Sequence, residues 1–228
     1  MRLMPSIMFA KSTNVMLSRR RFALQLTAAT ALVSSAGTIP GFSARAATAP
    51  DGAAKFINWL ADQAIKVLQS QSGNLSAREA ALRQLLVQSF DLEFIGRFAV
   101  GRHWRKMNAE QRAEYIRLFS IYVLNTYASR FGGYSGEKFT VMNARPAGKK
   151  DAVVSSVIKR PSGPPIQADW RVRARDNQYK IIDISVEGIS MAVTQRSEFS
   201  AVIKSNGVDG LVSALRARAD KLPAITAN

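Results

Sequence analysis

Apolar residues recur at helical spacing through the first half of this chain and alternate with polar ones through the second. From Asp51 to Gln71, Phe56, Ile57, Leu60, Ala64, Val67 and Leu68 fall on one face of a helix, which Gly73-Asn74 breaks. Ser76 with Glu79 three residues on predicts a capping box for a second helix, whose apolar face is Leu82, Leu85, Leu86 and Phe90. Asp91 starts a short helix ending near Gly101. Asn108 and Gln111 predict another capping box, opening a long helix that reaches Arg130 or Phe131 and stops at Gly132-Gly133. Its second half, with Leu118, Phe119, Ile121, Tyr122, Val123, Leu124 and Tyr127, is apolar nearly all round, so it should be buried on several sides.

Four segments then read as strands: Phe139–Ala144, Ala152–Ile158, Ile166–Ala174 and Tyr179–Val186. Turn clusters separate them at Pro146-Ala147-Gly148, Pro161 to Pro164, and Arg175-Asp176-Asn177. The third strand alternates cleanly, with Ile166, Ala168, Trp170, Val172 and Ala174 on one side and Gln167, Asp169, Arg171, Arg173 and Arg175 on the other. Two helices close the chain, about Ala192 to Ser205 and Asp209 to Lys221, parted by Asn206-Gly207. Helices, then a meander, then helices predict one α+β domain with helices packed on one face of an antiparallel sheet.

Charge changes the picture. The 228 residues hold 32 Lys and Arg against 16 Asp and Glu, a net charge of +16. Such an excess points to a polyanionic partner, either nucleic acid or an anionic membrane face. Part of it sits in residues 1–46, which carry Arg2, Lys11, Arg19, Arg20, Arg21 and Arg45 and no acid. Ser18-Arg19-Arg20-Arg21-Phe22 fits a twin-arginine export signal; an apolar run to about Ala36 follows, and Ala44-Arg45-Ala46 offers a cleavage site. We therefore expect a signal peptide over 1–46 and a mature domain over 47–228. Subtracting the six leader cations from +16 leaves that domain at +10. The expected compartment is a bacterial periplasm, where nucleic acid is scarce.

Candidate chemistry is sparse. Cysteine is absent and His103 is the one histidine, which excludes thiolate and multi-histidine metal sites. Nothing adjacent to His103 activates it for catalysis. The acids are scattered singly, without the spacing of a calcium loop or a carboxylate dyad. The Arg171-Arg173-Arg175 strip reads either as a solvated sheet face or as a contact for anionic head groups or an acidic partner. Periodicity alone does not distinguish a filled core from an apolar cavity between sheet and helices.

Several ordered segments carry a resemblance. They are Ser89-Phe90-Asp91-Leu92, Gly101-Arg102-His103-Trp104-Arg105, Gln111-Arg112, Thr126-Tyr127 and Tyr134-Ser135-Gly136-Glu137. In the second half come Trp170-Arg171-Val172, Ile182-Asp183-Ile184, Val186 to Ser190, Arg196 to Phe199 and Gly207 to Leu211. Over about residues 52–216 the chain resembles the toluene-tolerance family of MlaC-like periplasmic phospholipid carriers, which serve the maintenance of lipid asymmetry. Thr194-Gln195-Arg196 departs from the Asn-Tyr-Arg of many members, and a hopanoid-associated branch remains open.

The resemblance implies an NTF2-like domain, with helices around a curved antiparallel sheet of four or slightly more strands and an apolar pocket. It implies a non-enzymatic carrier with no cofactor and no metal. Such a carrier takes lipid between an outer-membrane lipoprotein and porin complex and an inner-membrane ABC transporter complex. The acyl-chain wall is then expected to include Phe119, Val123, Tyr127, Val141, Val153, Val157, Trp170, Val172, Ile184 and Met191, with Arg171 and Arg173 for partner or head group. Two other readings compete. One is an enzyme on a cone-shaped α+β scaffold, using Asp169 or Asp183, and the other is a structural adaptor to an acidic partner.

Overall fold

The computed structural model describes residues 48–69, 75–128, 136–175 and 178–219. The expected leader over 1–46, the Gly73-Asn74 break, the Gly132-Gly133 stop and the Asp176-Asn177 turn lie outside the described residues. The order is α1 (Pro50–Gln69), α2 (Leu75–Ser89), α3 (Leu92–Val100), a 3-10 turn (Gly101–Lys106), α4 (Ala109–Ala128), β1 (Lys138–Ala147), β2 (Asp151–Lys159), β3 (Ile166–Arg175), β4 (Gln178–Val186), β5 (Ile189–Ser190) and α5 (Met191–Ala219).

Local signals explain most helix starts. Pro50 opens α1, where its missing N–H is no loss. The Asp91 side chain accepts from the Phe94 N–H at 2.9 Å and caps α3. At α4 the capping box is complete: the Asn108 N–H donates to Gln111 Oε1 at 3.0 Å, and the Gln111 N–H donates to Asn108 Oδ1 at 2.8 Å. Helix α2 departs from expectation by starting at Leu75, which puts Ser76 inside its first turn. The last two expected helices meet at Gly207, whose φ of 70° breaks α5 where a stop was predicted.

The strands form one antiparallel meander in the order β1-β2-β3-β4-β5. Two differences from the sequence pattern have physical causes. Strand β1 runs on through Pro146 to Ala147, and as an edge strand it tolerates a residue without an N–H. Strand β5 adds two residues that pair back on Ser185 and Val186 across Glu187-Gly188, both at positive φ, as a tight two-residue hairpin turn requires. Register shifts at Val141/Asn143 and Arg171/Val172 mark bulges, the second of which lets both Ile181 and Ile182 be buried.

Two apolar layers hold the domain. Ala53, Ile57 and Leu60 of α1 pack on Ala152, Val154, Val172 and Ile181, which share one sheet face. A second layer joins α3, α4 and α5 through Tyr115, Leu118, Phe119, Phe199 and Leu211, with Tyr115 and Phe119 each in ring contact with Phe199. The Tyr115 hydroxyl donates to the Gly96 carbonyl at 2.9 Å, so the buried phenol is satisfied. Full burial of side chains this size stabilises by about 1.5–3 kcal/mol each.

Candidate functional site

The sheet face opposite α1 carries different chemistry. Cross-strand pairs Asp151↔Arg173 and Arg173↔Lys180 put these three charges on one face, and Val153↔Arg171 adds a valine and a second arginine. Asp151, with its side chain 2% exposed, sits between two guanidinium groups. Arg173 donates through Nε to Oδ1 at 2.6 Å and through Nη2 to Oδ2 at 3.1 Å, and Arg171 donates through Nε to Oδ2 at 2.8 Å. Burial alone would raise the Asp151 carboxyl, but hydrogen bonds and charge from Arg173 and Arg171 hold it below the ordinary carboxylate value. Arg173 also lies over the Phe94 ring of α3, 4.7 Å from its centroid. Asp151 thus joins both arginines, and Asp183, opposite Arg171 in the β3–β4 register, and Asp169 add acids to the same face, so the two signs of charge alternate there.

On the same side, at the β4 edge, a cleft of about 510 Å³ opens between α2, α3, α4 and β4. The chain makes it by tying the α2–α3 junction to the sheet. The Asp91 N–H donates to the Ile181 carbonyl at 3.0 Å, and Phe90 bridges Ile181 in parallel. Phe90, Leu92 and Leu124 give the cleft apolar walls, with Val87, 47% exposed, at its rim. Lys180, Gln178, Asp91, Glu93 and Ser120 supply the polar part, and the Lys180 ammonium also donates to the Gln88 carbonyl. A mixed cleft of this size falls within the range of about 300–1,000 Å³ for ligand sites.

Two buried polar side chains adjoin the cleft-lining residues in sequence. Asn125 follows Leu124 and is 3% exposed, with neither its amide nitrogen nor its oxygen hydrogen-bonded. Ser89 precedes Phe90, and its buried hydroxyl has no partner either. Each such group costs about 1–3 kcal/mol relative to a satisfied one.

The residues expected from sequence divide by location. Phe119 and Val123 belong to the layer between α3, α4 and α5. Val141, Trp170, Val172 and Ile184 belong to the layer under α1, where the Trp170 indole donates to Ser156 Oγ at 2.8 Å. Val153 and Val157 alternate to the opposite face, with Arg171 and Arg173, and are half-buried there. Tyr127 and Met191 are half-buried near opposite termini, at the end of α4 and the start of α5. None of the ten lines the cleft. Sequence reasoning missed Val87, Phe90, Leu92 and Leu124 as cleft-lining residues.

The carboxylates considered for catalysis have structural surroundings. Asp183 accepts from the Ser190 hydroxyl at 2.6 Å and from the Ala192 N–H at 3.0 Å, which fixes the start of α5. Asp169 pairs across the sheet with Ser155 and Ser185. His103 lies in the 3-10 turn, where burial, then Arg102 and Lys106, hold its imidazole below the ordinary value.

Comparison with known proteins places this architecture. A protein similar in structure is the phospholipid-binding protein of Ralstonia solanacearum, solved in complex with a phospholipid. It superposes with a TM-score of 0.66 at 26% sequence identity, covering 75% of this chain and 99% of that one. The intermembrane phospholipid transport system binding protein MlaC of Haemophilus influenzae is 21% identical over 169 residues, 71% of this chain and 79% of its own length. The family profile described as MlaC protein matches residues 59–217, from the middle of α1 nearly to the end of α5. The match spans all five strands and the whole cleft, and the chain belongs to the MlaC family.

Proposed function

We infer that this protein is an MlaC-type phospholipid-binding transport protein, a carrier rather than a catalyst. It acts in the periplasm, moving lipid between an outer-membrane lipoprotein and porin complex and an inner-membrane ABC transporter complex. The observation that carries the reading is the side of the domain opposite α1, where an amphipathic cleft adjoins a sheet face that carries valines and arginines. An acyl chain needs apolar walls, and Phe90, Leu92 and Leu124 provide them. A lipid phosphate needs cations, and Lys180, Arg171 and Arg173 stand on that same face.

Magnitudes explain why a carrier is required. Burying methylenes is worth about 0.8 kcal/mol each, so two chains with roughly 30 methylenes in total gain on the order of 24 kcal/mol gross. Unassisted crossing of water is negligible on that scale, and a protein that replaces the bilayer contacts removes most of the barrier. We further propose that the acyl-chain wall draws on Val123, Tyr127, Val153, Val157 and Met191. The buried Phe119 and Val172 and the half-buried Val141, Trp170 and Ile184 back it. Arg171 and Arg173 meet the head group or a partner surface. The expected leader over 1–46, with its twin arginines, supplies export, and 47–228 forms the carrier domain.

A transfer experiment tests this reading. Two vesicle populations are separated by a barrier that passes protein but not vesicles, and one contains labelled phospholipid. The protein should move label across the barrier at a rate proportional to its concentration. Label that stays with the donor, or moves equally with an unrelated basic protein, contradicts the carrier role.

A further inference from the structure

A second cleft, of about 410 Å³, lies between the 3-10 turn and α5, apart from the first. Its floor is Val100 and Gly101, and its walls are Arg102, His103, Arg196, Ser200 and Lys204. No acid lines it. Among the described residues, none of Arg102, Arg196 and Lys204 pairs with a carboxylate. Three unpaired cations converging on a concave site leave a strong field for an anion.

The site is held in shape. Arg196 lies over the Phe98 ring, 5.1 Å from its centroid. A Cβ at Gly101 would come within 3.2 Å of the Arg196 guanidinium, and Gly101 has a φ of 58°. The positive φ favours glycine there, and the absence of a side chain leaves room for the arginine to approach. Arg196 is exposed, and the ring contact on one side favours this placement of its guanidinium. His103, with its pKa lowered, is neutral at pH 7 and offers a hydrogen bond rather than a further charge.

The surroundings point to the source of the anion. Val193, Arg196, Ser200 and Lys204 follow one another at spacings of three and four along α5, so they form one stripe. Val193 is 53% exposed, and Ile189 in β5, just before the helix, is 60% exposed. An exposed valine one turn from Arg196, with an exposed isoleucine four residues before it in the chain, matches a bilayer surface, with acyl boundary for the apolar pair and head-group phosphate for the cations.

We propose that this cleft binds the phosphate of anionic lipid head groups at a bilayer surface, and that Ile189 and Val193 insert beside it. The site docks the protein on a membrane directly and is separate from the cleft for carried lipid.

The test uses protein purified as the cell processes it, its N terminus read by mass spectrometry. Co-sedimentation is measured with phosphatidylcholine vesicles with and without phosphatidylglycerol, at low and high salt. Binding should require phosphatidylglycerol and weaken with salt. Reversing Arg196 and Lys204 to Glu should lower affinity about tenfold or more, given about 1 kcal/mol per basic residue at an anionic surface. A control of equal net charge, Lys55→Glu with Lys66→Glu on α1, should keep most of the binding. Ile189→Ser with Val193→Ser should weaken vesicle binding while leaving any uptake of inorganic phosphate unchanged. Lys204→Glu alone, at an exposed position, repeats the test with least risk to folding, and melting temperature is read throughout.

Equal loss in the α1 control, or full binding after the Arg196 and Lys204 reversal, overturns the proposal. So does tight binding of inorganic phosphate that displaces the protein from vesicles, which would mark a free-anion site. Binding to neither vesicle type also overturns it and leaves an acidic protein as the partner. The phospholipid content of each variant is measured in parallel, so a failure of the carrier reading is seen separately.

Discussion

Replacing Asn125 by Leu should make the lipid-free protein more stable and its gain in stability on loading with lipid smaller. The amide is 3% exposed and makes no hydrogen bond through either atom. Leaving a buried polar group unsatisfied costs about 1–3 kcal/mol, and an apolar side chain of similar volume avoids that penalty. We therefore expect a gain of about 1–2 kcal/mol in N125L, the lower part of that range, because leucine is not the same shape as asparagine and repacking takes some of it back. For a domain of 150–250 residues each kcal/mol moves the melting temperature by about 2–4 °C, so the rise should be about 2–8 °C. The ligand should act in the opposite sense. If the amide meets the polar end of a bound lipid, loading stabilises the wild type through an interaction the variant lacks. Thermal unfolding followed by circular dichroism, on delipidated and loaded samples of each protein, measures both effects. The expected result is a higher melting temperature for lipid-free N125L and a smaller rise on loading. A lower melting temperature when lipid-free, or an undiminished rise on loading, would refute the reasoning.

Four other variants probe other parts of the account. Asp151→Asn leaves two guanidinium groups without their shared anion; it should cost toward the low end of the ~3–5 kcal/mol typical of a broken buried ion pair, since Arg171 is 49% exposed and hydrates. The same carboxyl has a depressed pKa in the fold, so its contribution is complete above about pH 4 and is lost as pH falls through the lower folded value. Acid unfolding should accordingly show a steeper loss of stability in the wild type than in D151N. Val172→Trp, in the layer packed by α1, should overpack and cost about 1–3 kcal/mol. Val153→Trp, on the opposite face, should lower co-purified phospholipid at little cost in melting temperature, and unfolding without lipid loss would remove Val153 from the wall. Arg19→Lys with Arg20→Lys should hold the precursor in the cytoplasm, as read by cell fractionation, and normal export would exclude the twin-arginine route.

The elements were legible where their signals are local. The Asn108 and Gln111 box, the Asp91 cap and the Gly207 break each depend on residues within a turn of one another. Alternation in β3 sorted Val172 from Arg171 correctly, because a period of two leaves no ambiguity of face. The two-residue β5 and the bulges are too short to leave a pattern of their own. The site was harder to read because it is made by pairings distant in sequence. Phe90 and Leu92 enter the cleft only because Asp91 bonds to Ile181, ninety residues away in the chain. The partner of the arginine row was likewise hidden. Asp151 lies about twenty residues before Arg171 and Arg173 and reads in sequence as the edge of a turn. The ten apolar residues expected at a pocket wall are spread over both faces of the sheet and a separate helical layer, since hydrophobicity marks burial without saying which interior a side chain joins.

The central claim is that the chain holds phospholipid. Its most direct test is to purify the protein from its own compartment without detergent, extract it with organic solvent and identify the lipids by mass spectrometry. The account predicts phospholipid in a fixed molar ratio to protein, lost on Val153→Trp and retained on Lys55→Glu. Protein free of phospholipid, or carrying it in variable traces that follow the composition of the membrane preparation, would contradict it.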